Sequence, residues 1–363
     1  MNDYLRFRSI AIIVAVLCAS LPGEAESQFS EPPIPEKLLA WKKLELPRKT
    51  IGQPAGLVFG RRDNVVVAWT LHDDIIIWDF ANDKHEIIPL GQRIPLGESI
   101  RRVIVTPDDF YAVTKTGNAV SIQSKKDEVY RLGSQKALTN DVDLAKDGQM
   151  IALARSSPKE NESSVALIDI RQNTTLRTVS KTSKEIYGVT TVRFSPDQTQ
   201  LAVAWENVVV RYDVKTMNEL AVYPPFNNLV GEIEWEPTGK YLAVICNSIR
   251  EPNWEITYGD LRVHILAGDS NKEITTLGGN SNLVTSIAFP RAMKFNSQAI
   301  TAGGVDHVRR WNLETGSVVA PKPSIGDGNE TYVSLSNTGK LLATVADDTE
   351  RILFSIYQMP NER

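Results

Sequence analysis

Four histidines, His72, His85, His264 and His307, are the side chains best suited to move protons or ligate a metal near neutral pH. None stands at a spacing to a second ligand type that recurs in zinc sites, so no metal is expected from them. His72-Asp73-Asp74 gathers a ring nitrogen and two carboxylates, and Asp347-Asp348-Thr349-Glu350 gathers carboxylate oxygens of the kind a hard cation takes. Both runs fall between apolar segments where a hairpin must turn, and there Asp side chains serve as caps on neighbouring N–H groups. Cys246 ends the apolar run Tyr241-Leu242-Ala243-Val244-Ile245 and reads as a buried thiol. There is no Gly-rich phosphate loop, nucleophile elbow or helix-borne histidine pair, and Gly303-Gly304 leads into no helical segment. The expectation is therefore no catalytic residue, no metal and no cofactor, with an enzyme as the secondary reading.

The elements that would position any site come from repetition. A short strand ending in an aromatic or apolar residue plus Asp or Asn recurs at Ile75-Ile76-Ile77-Trp78-Asp79, Val165-Ala166-Leu167-Ile168-Asp169, Val209-Val210-Arg211-Tyr212-Asp213 and Val308-Arg309-Arg310-Trp311-Asn312. With fainter copies at Ile122, His264 and Ser355, the steps run roughly 44 to 52 residues, the period of four-stranded propeller blades. Upstream of each marked strand lies a turn such as Pro196-Asp197-Gln198-Thr199 or Pro237-Thr238-Gly239-Lys240, then an apolar strand. Further upstream are inner strands such as Val192-Arg193-Phe194 and Ile233-Glu234-Trp235, and downstream are outer ones such as Glu219 to Tyr223. No helical period is sustained. The fold is therefore expected to be all-β, a seven-bladed β-propeller of four-stranded antiparallel blades. The last copy, Ile352 to Tyr357, leaves no room for an outer strand before Pro360, so Trp41 to Pro47 is expected to supply it and close the ring.

The stretch Ser297-Gln298-Ala299-Ile300-Thr301-Ala302-Gly303-Gly304-Val305-Asp306-His307-Val308-Arg309-Arg310-Trp311-Asn312 resembles a tryptophan-aspartate (WD) repeat, and weaker likeness runs from Trp41 to the end. The family's Gly-His pair is missing from every copy. The resemblance implies a propeller used for protein–protein assembly. Trp78, Asp79, Asp169, Asp213, Asp306 and Trp311 are then structural repeat residues, the acids serving as turn caps. Binding is sought on unusual loops. Asn247 to Asp260 lengthens the fifth blade with Arg250, Trp254 and Tyr258, and Ser156 to Ser164 lengthens the third with a charged loop. Trp, Tyr and Arg are frequent interface anchors, so Arg250, Trp254 and Tyr258 form a candidate partner-binding rim with Phe226 of Pro224-Pro225-Phe226. The alternative is that Trp254 packs on its own blade and Phe226 tucks under its turn.

Arg6 and Arg8, an uncharged run from Ser9 to Leu21, and Gly23 and Ala25 read as an export signal cleaved after residue 25. An uncleaved anchor is the alternative. Cys18 follows Leu17, where lipidation needs a small residue. Residues 26–40 then form a linker and 41–363 the propeller. Lys+Arg 40 against Asp+Glu 44 leaves a net charge of −4 and no basic field for nucleic acid. The functional expectation is a monomeric, periplasmic or secreted, non-catalytic platform for a protein partner, with no membrane span after cleavage. The alternative is an exported propeller that binds or transforms a small ligand, such as a sugar, lactone or redox cofactor, in its channel. Convergent carboxylates at the channel would favour the latter.

Overall fold

Strands of branched and aromatic residues separated by Asp, Asn and Gly turns leave little for helices to do, and a four-residue turn of helix at Arg48–Ile51 is the only one among the described residues. The computed structural model describes residues 40–90, 94, 98–106, 110–122, 129–132, 137–157, 159–182, 188–246, 249–250, 256–257, 260–280, 283–290, 297–303, 308–319, 330–348 and 350–359. All of them belong to one compact unit, Pro35–Arg363.

The closing strand β1 (Lys42–Pro47) precedes blade 1, which comprises β2 (Pro54–Phe59), β3 (Val65–Thr70), β4 (Asp74–Asp79) and β5 (Lys84–Pro89). Blade 2 comprises β6 (Ile100–Val105), β7 (Phe110–Thr114), β8 (Asn118–Ser121) and β9 (Val129–Arg131). Blade 3 is β10 (Leu138–Leu144), β11 (Met150–Ser157), β12 (Glu162–Asp169) and β13 (Thr174–Thr182). Blade 4 is β14 (Thr191–Phe194), β15 (Gln200–Trp205), β16 (Val208–Asp213) and β17 (Glu219–Val222). Blade 5 begins with β18 (Val230–Trp235) and β19 (Tyr241–Cys246), interposes a small hairpin of β20 (Ile249–Arg250) and β21 (Ile256–Thr257), and ends with β22 (Val263–Ala267) and β23 (Glu273–Leu277). Blade 6 has β24 (Ser286–Ala288), β25 (Gln298–Ala302) and β26 (Arg309–Asn312), with an isolated Trp311–Val318 bridge on the outer side of β26. Blade 7 consists of β27 (Glu330–Leu335), β28 (Leu341–Asp347), β29 (Arg351–Gln358) and, completing it, β1.

The ring closes as the sequence requires. β1 pairs antiparallel with β29 from Lys42↔Ile356 to Pro47↔Arg351, and Arg351–Glu45 (3.0 Å) and Arg48–Asp347 (3.1 Å) clamp the junction. Seven apolar clusters of buried residues fill seven seams, one between each pair of neighbouring blades. This is why the second strands read as unbroken apolar runs. In β15, Leu201 and Val203 face blade 3 while Ala202 and Ala204 face blade 5, so both faces of the pleat are buried. Close approach is also built in: a Cβ on Gly56 would fall inside the ring of Trp69, its partner across β2 and β3.

The segment expected as an enlarged loop in blade 3 is instead mostly strand. β11 runs to Ser157 and β12 begins at Glu162, so the hairpin projects as an extended ladder with a short turn. Ser156 and Ser163, paired across it by their hydroxyls (3.0 Å), are both buried; these small polar residues extend the sheet where composition alone suggested a loop.

Candidate functional site

The innermost strands alternate apolar and charged residues, and the ring gathers the charged ones at its centre. Asp141 and Asp143 come from β10, Arg193 from β14, Glu232 and Glu234 from β18, and Arg102 from β6. The Arg193 side chain is only 5% exposed and reaches three carboxylates: Asp141, Glu234 (Nε to Oε2, 3.3 Å) and Glu232 (3.6 Å). Arg102 takes the other oxygen of Asp141 at 3.2 Å. Four carboxylates thus surround two guanidinium groups, an excess of two negative charges when all are ionised.

The same acids sew blades 3 and 4 together. Asp141 accepts from the Thr191 hydroxyl (2.7 Å) and the Val192 amide (3.2 Å), and two residues on, Asp143 accepts from the Phe194 amide (2.8 Å). That matched advance shows β10 and β14 running side by side in the same direction.

Environment splits these carboxyl groups. Burial works to raise Asp141, but Arg193, Arg102 and the Thr191 hydroxyl outweigh it and hold the group below the ordinary range. Burial pushes Asp143 up to about 6 against Arg193 and Arg102. Glu232 and Glu234 are also raised by burial, although 36% of the Glu234 side chain remains accessible within the ring. Arg193 is held above its ordinary value because its four acidic neighbours overcome burial. Tyr332 of β27 is raised to about 12, by burial first and then by the charge of Glu232. Among the described residues no group of His, Cys, Asp and Glu is arranged to hold a metal ion; the arginines stand where a cation would.

The two ends of the ring differ. At the end carrying the turns between third and fourth strands, Asp79 accepts from the Asn82 amide (3.2 Å), Asp169 from Gln172 (2.9 Å), Asp213 from Thr216 (2.8 Å) and Asn312 from Glu314 (2.8 Å). Four residues past each cap stands a left-handed residue: Asp83, Asn173, Met217 and Gly316. Trp78 and Trp311 are buried nearby, and the Trp311 indole donates to Thr301 Oγ1 (2.8 Å). Asp306 lies outside the described residues.

The opposite end carries the turns between second and third strands and the connections between blades. There Leu71, 62% exposed on the blade 1 hairpin, was not singled out by sequence, since it reads as one apolar residue in a turn. Phe226 is half-buried against the blade 4–5 seam, its ring edge-on to His264 at 4.8 Å. Both His264 ring nitrogens face carboxylates, Asp260 at 3.1 Å and Glu273 at 2.9 Å. Asp260 is held down at about 2, first by its bonds to Arg262. Cys246 is buried in the same blade, and burial pushes its thiol up to about 12, which makes it a poor nucleophile. Arg250 is in β20, and Trp254 and Tyr258 lie outside the described residues.

The central charges escaped sequence reasoning although a signal was present: one or two charged residues at the same depth of the innermost strand in blades 2 to 5. No helix among the described residues is long and apolar enough to cross a membrane. No protein-family model matches the chain, and no curated protein matches it. Among solved structures it is similar to a chain in the crystal structure of a mitotic checkpoint complex, at 16% identity over 96% of this chain and 99% of that one, with a TM-score of 0.66. That likeness agrees with the ring of blades and establishes the seven-bladed propeller fold.

Proposed function

We propose that this chain is a divergent WD-repeat-type propeller that acts as a non-catalytic platform for a protein partner outside the cytoplasm, with residues 1–25 directing export. The observation that carries this reading is the asymmetry of the ring. One end carries Asp or Asn caps on the third-to-fourth turns of blades 1, 3, 4 and 6, while the other, where Asp348 caps the blade 7 turn, holds the projecting blade 3 hairpin, exposed Leu71, the blade 4–5 connection bearing Phe226 and the β20–β21 hairpin bearing Arg250. Loops held on a rigid scaffold are where recognition concentrates. The central arginines support a structural rather than reactive centre, because they bind the carboxylates into inter-blade contacts. The solved relative is part of a protein assembly, and the same use of the fold is proposed here.

The test is capture of partners by the mature chain from an extracytoplasmic extract, beside Leu71→Ser and the pair Trp254→Ala, Phe226→Ala. A protein retained by the native chain and by Asp169→Ala at the capped end, but lost by the folded loop variants, supports the platform. Absence of any captured protein, or equal capture by all variants, overturns it.

One observation favours a second reading, a small ligand at the ring's centre: Asp143, Glu232 and Glu234 converge there with raised pKa values. A metabolite-binding screen in which Glu234→Gln abolishes a hit would support it.

A further inference from the structure

Arg155 of β11 is 7% exposed, and its Nε and Nη2 atoms are sealed from solvent without a hydrogen-bond partner. Among the described residues no carboxylate forms an ion pair with it. Burial lowers its pKa, and among the described residues no neighbouring charge acts on it. A guanidinium buried this way is among the costliest groups a fold can carry, and buried charges are ordinarily paired.

Among the described residues its cross-strand neighbours add donors and no acid. Thr139 on β10 and Ser164 on β12 stand directly opposite Arg155, so the three side chains share one face of the sheet. The Thr139 hydroxyl is also buried and unpartnered. That face is turned toward blade 2, because Leu153, next along it, packs with Val113, Ala119 and Leu132. Across the seam the turn at Gly117 presses close, and a Cβ there would lie 3.1 Å from Thr139 Oγ1. Glu98 at the start of blade 2 is held elsewhere, by the Thr114 hydroxyl and the Asn118 amide (2.8 Å).

Nε and Nη2 form one edge of the guanidinium, the fork that meets two oxygens of a carboxylate or phosphate in parallel. We propose that the seam between blades 2 and 3 holds an oxyanion site, with Arg155 as the fork and the Thr139 and Ser164 hydroxyls as flanking donors. The site lies at the ring end opposite the capped turns, and entry parts the projecting β11–β12 hairpin from the Gly117 turn. The proposal does not depend on the platform reading.

Thermal melts of the native chain, Arg155→Met and Arg155→Lys test it, with inorganic phosphate or acetate replacing chloride at constant ionic strength. In chloride alone Arg155→Met melts above the native chain, because an unpaired buried charge has been replaced by an apolar side chain of similar length. Phosphate or acetate then raises the native melting temperature saturably by several degrees, leaves Arg155→Met unmoved, and acts weakly on Arg155→Lys, which keeps a charge without the fork. A response to acetate only points to a carboxylate, as a partner peptide would present; a response to phosphate, with or without acetate, points to a free phosphate-type anion. The proposal is overturned if Arg155→Met melts below the native chain in chloride, if neither anion shifts the native chain, or if native and variant shift in parallel, which is the general effect of excluded salts.

Discussion

Arg193 ties three blades together through one planar group. Its partners Asp141 from blade 3 and Glu232 and Glu234 from blade 5 lie on either side of it, and its neighbour Arg102 shares Asp141 from blade 2. Breaking a buried ion pair from one side leaves the other charge uncompensated, which costs about 3–5 kcal/mol, whereas removing both partners costs far less. Arg193→Met is therefore expected to lower unfolding free energy by roughly that amount. Arg193→Met with Asp141→Asn should recover a substantial part, so the two losses are strongly non-additive in denaturant titrations. Additive losses would show that the pair does not act as a unit. These residues were visible in the sequence as ordinary polar positions of inner strands, Val192-Arg193-Phe194 and Ile233-Glu234-Trp235. Their convergence was not, because it arises only when the ring of parallel inner strands brings residues roughly 40 to 50 positions apart in neighbouring blades to one axis.

The turns and the closing strand were far more legible, since their chemistry is local. Asp at the end of a marked strand caps the next turn with its own carboxylate, and Gly or Asn at the left-handed position follows from backbone sterics. One turn departs from its repeats. Between the first and second strands of blades 3, 5 and 7 the left-handed residue is Gly148, Gly239 and Gly339, but blade 4 has Gln198 at φ 62°. Gln198→Gly is expected to stabilise the protein by about 0.5–1 kcal/mol, the strain relieved exceeding the entropy that glycine adds to the unfolded chain. An unchanged or lower melting temperature would show that the Gln198 side chain, within 3.5 Å of the Asp147 amide, matters more than its backbone. The closing strand gives a second test. Leu46 of β1 is buried in the seam between blades 7 and 1, so Leu46→Ala is expected to cost about 2–4 kcal/mol, as for a residue of the central core. A surface-like loss below about 0.5 kcal/mol would mean that the ring is held shut without it. What local pattern did not reveal was the extended blade 3 hairpin, whose serines look like loop residues until both faces are buried by neighbours.

Taken over the entire ring, the ionisable groups pull stability in opposite directions at different pH. Asp143 sits at about 6 in the folded chain, against about 3.9 for an unperturbed carboxyl, and Glu232 and Glu234 are raised as well. Between those values the folded chain binds more protons than the unfolded one, so folding becomes more favourable as pH falls from about 6 to 4. The contribution of Asp143 is on the order of 2–3 kcal/mol. Asp260, held down at about 2 chiefly by Arg262, acts the other way, as do Asp141 and the turn caps Asp79, Asp197, Asp213 and Asp348, all lowered. Their stabilisation is present above about 4 and is lost as pH falls toward 2. The melting temperature should therefore rise on mild acidification, peak near pH 4 to 5, and drop steeply below. Asp143→Asn should reduce the rise between pH 6 and 4 by the share of Asp143 and leave the acid limb in place, because the substitution removes that group's proton uptake, not that of Glu232 and Glu234, and none of the capped turns. A native profile that falls steadily from pH 7 to 5, unaltered in Asp143→Asn, would show that the central carboxylates share their charge with the arginines well enough to titrate as they do in the unfolded chain.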